Sequence, residues 1–144
     1  MTGIRPLLRE DLPAVASLYE QLARSGRDTP PAPLAGYLAR TTLDAVWADP
    51  EIPPLVAEAS DGRVIGFLGS YPRRLRLDGR VLRVGCSGHL VADPSTPGIG
   101  ALLTRAYLRG PQDLTITDGA TDLMRRMWRQ LRGRVRTAPS FAWY

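Results

Sequence analysis

Apolar residues along the chain follow two spacings, one typical of helices and one typical of strands. Between residues 11 and 22 they recur at every third or fourth position, which predicts a helix with one buried face. Between residues 55 and 92 they form short runs or alternate with polar residues, as in strands. Asp61-Gly62 and Asp78-Gly79 divide this stretch and favour tight hairpin turns. We therefore expect three antiparallel strands, at 55–59, 64–77 and 81–92.

The same reading places two helical regions before these strands and a helix, a strand and a helix after them. The further elements are a strand at 3–8, a helix with Asp11 as its N-cap that stops near Gly26, a helical stretch carrying Leu34 to Trp47, a helix from about Gly98, a strand at 114–117, a helix at about 120–132 and a sixth strand at 140–144. We expect an α/β (α+β) fold with a mixed, mostly antiparallel central sheet, flanking helices and the order β-α-α-β-β-β-α-β-α-β. The faces expected to be buried include Leu22 in the first helix, Leu102 in the third and Leu123 in the last.

Length and composition indicate one globular domain over residues 1–144. Hydrophobic residues make up 44% and charged residues 23%, and no apolar run approaches the roughly 20 residues that cross a bilayer, so we expect a cytoplasmic protein without a membrane partner. Cys86 is the only cysteine and His89 the only histidine, which excludes an internal disulfide and a usual metal ligand set. All 19 basic residues are arginine, and the net charge of +5 attracts anions.

Between Ala92 and Leu103 the chain reads ADPSTPGIGALL, in which Gly98 and Gly100 open an amphipathic helix after an apolar strand. The first amides of a helix have no partner within it, and the helix dipole is positive at that end. Two glycines would let an anion approach this backbone without a Cβ in the way. The segment is therefore a candidate phosphate-binding loop, although the glycines could also serve only to turn the strand into the helix.

This loop, the long hairpin before it and the segment IRPLLREDLPAVASLYEQL resemble the GCN5-related N-acetyltransferase family over residues 4 to about 143. In that family a Gln/Arg-x-x-Gly-x-Gly/Ala loop binds the pyrophosphate of acetyl-CoA through backbone amides. Gly98 and Gly100 match the pattern, while Ser95 stands in the Gln/Arg position and offers only a neutral hydrogen bond. The resemblance implies acetyl-CoA as cosubstrate, bound at Leu90, Ala92, Ser95, Gly98, Ile99, Gly100 and Ala101.

The resemblance also shows where this chain departs from the family's proton-transfer groups. Family members often hold a carboxylate, or a water bound by one, on the fourth strand, but residues 83–90 contain no Asp or Glu. His89 lies there and is either the base or a structural strand histidine, while Cys86 is expected to be a small apolar residue. Trp128 stands in place of the usual tyrosine acid, and Thr121 in place of an asparagine that contacts coenzyme A.

Tyr37 and Trp47 belong to the helix pair that forms one wall of the acceptor site in the resembled family. They are expected in the core, with contact to the substrate as the alternative. The catalytic residues themselves are not identified by the sequence.

We expect an acyl-CoA-dependent N-acyltransferase whose acceptor is a small-molecule or protein amine. The alternative is a non-catalytic domain of the same fold that binds acyl-CoA or a partner domain. The arginine row of the last helix does not favour a nucleic-acid partner, since no aromatic residues are interleaved for base stacking. No seventh strand follows residues 140–144, so the predicted sheet has an open edge that favours a homo-oligomer or continuation into a further domain.

Overall fold

The computed structural model describes residues 3–23, 32–117, 119–131 and 133–134. The strands are β1 (Gly3–Pro6), β2 (Leu55–Glu58), β3 (Val64–Leu77), β4 (Arg80–Ala92) and β5 (Leu114–Ile116), and the helices are α1 (Leu12–Ala23), α2 (Ala32–Leu38), α3 (Ile99–Leu108) and α4 (Asp122–Gln130). A 3₁₀ turn at Arg9–Asp11 precedes α1, and a π-helical turn at Ala39–Leu43 extends α2. The predicted sixth strand at 140–144 lies outside the described residues.

The five strands form one sheet in the order β1-β2-β3-β4-β5, the same as their order in the chain. Adjacent pairs from β1 to β4 are antiparallel, and β5 runs parallel to β4. The parallel step requires the chain to cross back over the sheet, and α3 makes that crossing. The predicted mixed, mostly antiparallel sheet with flanking helices is confirmed.

The turns between the central strands match their sequence signals. Asp78 and Gly79 have φ angles of 47° and 76°, which is the pair of positive values that a two-residue hairpin turn of type I′ requires. Gly62, in the preceding turn, has a φ of 85°. The Asp78-Gly79 pair therefore sets the register of the long β3–β4 hairpin from its tip, and the turn that contains Gly62 joins β2 to β3.

Two apolar clusters sandwich the sheet. The cluster under α1 and α2 consists of Leu7, Leu12, Val15, Ala16, Leu34, Leu38, Ala39, Val56, Phe67 and Val91. The cluster under α3 consists of Ile52, Leu55, Ala57, Ile65, Leu68, Ile99, Leu103 and Tyr107. The sheet is therefore buried on both faces where β2, β3 and the end of β4 lie.

Some expectations about helices and buried faces are wrong. The helical stretch does not reach Trp47, because the π turn ends when the Asp44 amide bonds the Ala39 carbonyl at 2.9 Å, and Val46 is 94% exposed. Leu22 and Leu102 lie at the solvent-facing side of their helices, and both are exposed. Leu123 is 68% exposed because α4, within the described residues, buries none of its side chains fully.

An ion-pair cluster fixes β1 to the start of α1. The Arg5 guanidinium donates from both terminal nitrogens to the two Asp11 carboxylate oxygens, at 2.7 and 2.8 Å, and from Nε to Glu58 at 2.7 Å. Asp11 also accepts the amide of Leu8, the N-cap residue of the 3₁₀ turn, at 2.8 Å, so its side chain bonds back to the start of that turn and does not cap α1 as predicted. The Arg5 guanidinium holds the pKa of this buried carboxyl below its usual value.

We expect Asp11→Ala to lower the free energy of unfolding by about 2–3 kcal/mol, because it removes a charge-assisted pair and leaves the Leu8 amide unbonded. Since the folded pKa of Asp11 is depressed below 3.8, its contribution is complete above that pH and is lost as the pH falls through the folded value. Urea denaturation measures both effects. Asp44→Ala, which breaks an exposed pair with Arg9, is the matched control and should have a much smaller effect. Equal losses in the two variants would contradict the assigned role of Asp11.

Candidate active site

Strand β4 has one extra residue at the point where it pairs with Leu68 of β3. The ladder pairs Gly69 with Gly88 and Phe67 with Val91, so Leu68 faces two residues, His89 and Leu90. Leu90 packs in the cluster under α3 together with Leu68, and His89 is the extra residue, with a φ of 52° that side chains rarely adopt. This β-bulge therefore places His89 on the opposite face of the sheet, under α1 and α2.

Three tyrosines from three elements surround the His89 ring. Ring-centroid distances are 5.5 Å to Tyr19 in α1, 6.1 Å to Tyr37 in α2 and 5.6 Å to Tyr71 in β3. The Tyr71 hydroxyl is hydrogen-bonded to Nδ1 of His89. Burial lowers the pKa of His89 below its ordinary value of 6.5, so the imidazole is neutral near pH 7 and keeps a nitrogen lone pair. The sequence indicated His89 as a candidate, but it gave no sign of these tyrosines as its neighbours.

The predicted phosphate loop forms the N-terminus of α3. Gly98 is the N-cap residue with a φ of 90°, and the first bond within the helix runs from the Leu102 amide to the Gly98 carbonyl at 3.0 Å. The amides of Ile99, Gly100 and Ala101 come before that bond, and such amides have no acceptor within the helix. The helix thus begins where the sequence predicted it, and its first three amides lack acceptors within the helix.

Ser95 is engaged within the loop. Its hydroxyl donates to Oδ1 of Asp93 at 2.7 Å, and its amide donates to the same oxygen at 2.9 Å. The Asp93 amide in turn bonds the Ile65 carbonyl at 2.8 Å, which ties the loop to β3. Ser95 here orders the turn, and its role toward a cosubstrate remains a prediction.

Helix α3 is fixed to the sheet at its C-terminal half by a buried hydroxyl pair. Ser70 donates to the Ile52 carbonyl at 2.7 Å, so the Tyr107 hydroxyl, 2.8 Å away, is the donor to Ser70. Burial raises the pKa of Tyr107 to about 12, which keeps this donor protonated. At the other end, a Cβ on Gly66 would lie 2.6 Å from the Ile99 side chain, so the glycine lets the helix start close to β3. The two contacts fix both ends of α3 to the sheet, and so determine where its amide end lies relative to the bulge in β4.

Strands β4 and β5 separate before the bulge. Within the described residues, β5 pairs with β4 only from Val84 to Cys86, and the strand ends at Ile116. Beyond Cys86, the edge of β4 that faces away from β3 continues to Leu90 and Ala92 with no other strand of the described part of the chain beside it. Backbone groups on such an edge are free to bind an extended ligand. The predicted residues Leu90 and Ala92 thus line a gap that leads to the start of α3.

Tyr37 and Trp47 are both 42% exposed, so the expectation that they lie in the core is wrong. Tyr37 borders His89, and Trp47 stacks on the Arg73 guanidinium at 4.2 Å from its ring centroid. Trp47 and Arg73 line an open groove of about 620 Å³ whose wall includes the ion pair of Arg83 with Asp49 at 2.8 Å. Both aromatic side chains border accessible space rather than packing in the interior, and only Tyr37 is shown in contact with the histidine ring.

Helix α4 contains Trp128 and follows Thr121, the two residues that the sequence comparison set in place of a tyrosine and an asparagine. Thr121 is its N-cap and accepts the Met124 amide at 3.4 Å, so its oxygen serves the helix start. Met127 lies 4.0 Å from the Thr104 hydroxyl and places α4 beside α3. The indole Nε1 of Trp128 is buried with no hydrogen-bond partner among the described residues.

No family model matches the chain, and no curated protein sequence matches it significantly. Its structure is similar to an acetyltransferase from Trypanosoma brucei, at 19% sequence identity and a TM-score of 0.76, with 100% of each chain covered. It is similar to a ribosomal-protein-alanine N-acetyltransferase from Brucella melitensis biovar Abortus 2308, at 18% identity and a TM-score of 0.71, over 100% of this chain and 99% of that one. This chain has the GCN5-related N-acetyltransferase fold.

A third similar structure is AAC(6')-Iy in complex with the bisubstrate analogue CoA-S-monomethyl-acetylneamine, at 18% identity and a TM-score of 0.75, over 100% of this chain and 98% of that one. Sequence identity this low supports the acetyltransferase fold alone and leaves the acceptor open. Among the described residues, no helix is long and apolar enough to cross a membrane, and no group of His, Cys, Asp and Glu side chains could hold a metal ion.

Because burial depresses the pKa of His89, we expect the protein to lose stability as the pH falls below 6.5, where the unfolded histidine takes up a proton that the folded one does not. His89→Asn should reduce that loss, since asparagine tolerates the left-handed φ and does not titrate. Urea denaturation of both proteins at about pH 7.5 and about pH 5.5 gives the comparison. The carboxylates are common to both proteins, so an identical pH dependence would show that His89 is not buried in its neutral form.

Proposed function

We propose that this chain is an acyl-CoA-dependent N-acetyltransferase that transfers an acetyl group from acetyl-CoA to an amine. The observation that carries the proposal is the bulge in β4. It brings a neutral imidazole to the point where β4 leaves β5 and where the gap toward the amide end of α3 begins. The similarity to a fold whose members include a complex with a CoA bisubstrate analogue supports the same conclusion.

The cosubstrate would lie along the gap between β4 and β5. Its pyrophosphate would accept hydrogen bonds from the amides of Ile99, Gly100 and Ala101, where the helix dipole also favours negative charge. The pantetheine arm would follow the free edge of β4 past Ala92 and Leu90. The thioester would then reach the bulge, where the extra residue leaves backbone groups outside the β3–β4 ladder. These contacts require no charged side chain, which fits the replacement of Gln or Arg by Ser95.

The acceptor would approach from the tyrosine-lined face under α1 and α2. An amine must lose a proton to attack the thioester carbon, and His89 is the titratable base that the bulge places on this face. As the carbon–nitrogen bond forms, the amine proton passes to the imidazole. The carbon–sulfur bond then breaks, and the departing thiolate takes up a proton from the imidazolium or from solvent. Beyond this general-base step, holding both substrates in one complex supplies the rest of the rate acceleration.

The exposed aromatic side chains of Tyr37 and Trp47 define only a broad class of acceptor. Tyr37 is exposed beside His89, and Trp47 is exposed in the groove that it lines with Arg73. These groups would contact a small-molecule amine or an exposed peptide amine. A non-catalytic domain that binds acetyl-CoA remains the second candidate, because Trp128 in α4 offers no useful acid. Binding of acetyl-CoA without transfer to any amine would favour that candidate.

We expect Gly100→Val to abolish acetyl-CoA binding without unfolding the protein. A Cβ at Gly100 would lie 3.7 Å from Leu90 in the free protein, which is an ordinary contact, so the added side chain obstructs only the phosphate. The measurement is the rise of the melting temperature with acetyl-CoA, which a ligand of the native state must produce. Arg105→Val, an exposed change in the same helix, is the control and should keep the rise. Unchanged affinity in Gly100→Val would remove the proposed pyrophosphate site.

We expect His89→Asn to lower kcat/KM for acetyl transfer by about 10²–10⁴, the usual contribution of a general base. The variant should still show the melting-temperature rise with acetyl-CoA, because the pyrophosphate site is untouched. In the native protein the rate should fall as the pH drops through the pKa of His89, which lies below 6.5. The assay is transfer to a panel of primary amines across pH. A fast enzyme with the same rate in His89→Asn would show that another group is the base.

A further inference from the structure

The open groove of about 620 Å³ lies between β3 and the segment that precedes β2. Strand β2 pairs with β3 only as far as Leu68, so β2 does not cover the rest of that edge of β3. The segment 46–52 lies there instead, and its Ile52 carbonyl accepts the Ser70 hydroxyl at 2.7 Å. One wall of the groove is thus β3 itself, and the other is a segment that β3 holds by a buried hydrogen bond.

Arg73, which lines this groove, lies next to the rings around His89. Side chains alternate along a strand, so Arg73 lies on the same face of β3 as Tyr71, whose hydroxyl bonds His89. The two β3 residues are about 7 Å apart along the strand, at roughly 3.3 Å per residue. Their partners on β4, Val84 and Cys86, follow one another on the same face. A molecule whose amine lies at the imidazole can therefore reach the Arg73 guanidinium with a group a few carbon atoms away.

Two contacts hold the Arg73 guanidinium in one orientation. Its central carbon lies 4.2 Å from the ring centroid of Trp47, and one terminal nitrogen donates to the Pro72 carbonyl at 2.9 Å. A guanidinium has five N–H donors, so further donors in its plane can bind a ligand. Planar donors held in this way bind both oxygens of a carboxylate or phosphate at little further cost in side-chain entropy.

The two carboxylates that line the groove are paired with a different arginine. Arg83 donates to Asp49 at 2.8 Å and to Glu51 at 3.0 Å, while Arg74 lies 4.0 Å from Asp49. Arg73 has no carboxylate partner among the described residues, in a groove lined by three arginines and two carboxylates. Such a balance of charge attracts an anion and repels a second cation.

We propose that Arg73 binds an anionic group on the acceptor, so that the preferred acceptors are amines that also carry a carboxylate or a phosphate. The inference rests on the proposed function for the use of the amine, but anion binding at Arg73 can be measured without any transfer. The amine meets His89, and the anion lies against Arg73 at the edge of the Trp47 ring. This contact selects among amines by charge, which the aromatic side chains alone do not do.

The experiment compares three probes of equal length that share a terminal amine: aminohexanoate, its neutral amide and diaminohexane. Isothermal titration measures binding, and the acetyl-transfer assay measures kcat/KM, both at one ionic strength. We expect aminohexanoate to be preferred over its amide by at least about tenfold in both measurements, the scale of a charge-assisted pair, and diaminohexane to be the poorest probe. Comparison with aminohexyl phosphate shows whether the site takes a carboxylate or a phosphate.

Arg73→Gln should remove the preference and leave binding of the amide unchanged, because the neutral probe makes no use of the charge. Arg76→Gln is the matched control, since it removes the same charge from the opposite face of β3, outside the groove, and it should keep the preference. Arg73→Lys keeps the charge without the planar donors, and it should retain only part of the preference.

Equal binding of aminohexanoate and its amide by the native protein would overturn the inference. The same preference in Arg73→Gln, or an equal loss of both probes in that variant, would also overturn it. A preference in the titration that Arg73→Gln abolishes, in a protein that transfers no acetyl group, would support the inference and refute the proposed function.

Discussion

One additional residue in β4, opposite Leu68, determines which side of the sheet the imidazole faces. Side chains alternate along a strand, so a regular ladder would set His89 opposite Leu68 in the apolar cluster under α3. The bulge gives that place to Leu90 and moves His89 to the tyrosine-lined face. The apolar contact of Leu90 stabilises the arrangement, and the positive φ of His89 is its strained element. Packing on one face of the sheet thereby supports a polar site on the other.

The second constraint is the position of α3 relative to that bulge. The Tyr107–Ser70–Ile52 hydrogen bonds hold the C-terminal half of the helix, and the missing side chain of Gly66 lets its first turn approach β3. The amide end of α3 and the bulge are therefore fixed to the same pair of strands. A ligand that contacted both would meet a preorganised surface, which lowers the conformational cost of binding.

Features set by residues adjacent in the chain could be predicted from the sequence. Features that depend on how two strands pair could not. The Asp-Gly turns and the Gly98–Gly100 helix start are local, and both occur where the sequence predicted them. The bulge depends on how β4 pairs with β3, and no residue near His89 signals an insertion. The tyrosines come from three separate elements, so their convergence required the fold. Trp47 was misassigned because a helical apolar spacing continued past the residue where the π turn ends.

Gly69 and Gly88, which pair across β3 and β4 next to the Tyr71 ring, bear on how this protein could be engineered. Glycine inside a strand destabilises a fold by about 0.5–1 kcal/mol relative to alanine, so a search for stabilising substitutions would turn to such positions early. At Gly69 the new atom would also lie 3.0 Å from the Gly88 carbonyl, whereas at Gly88 only the Tyr71 ring stands in its way. A substitution at Gly88 could stabilise the strand only as far as the Tyr71 ring can move, and that movement would disturb the hydrogen bond between Tyr71 and His89.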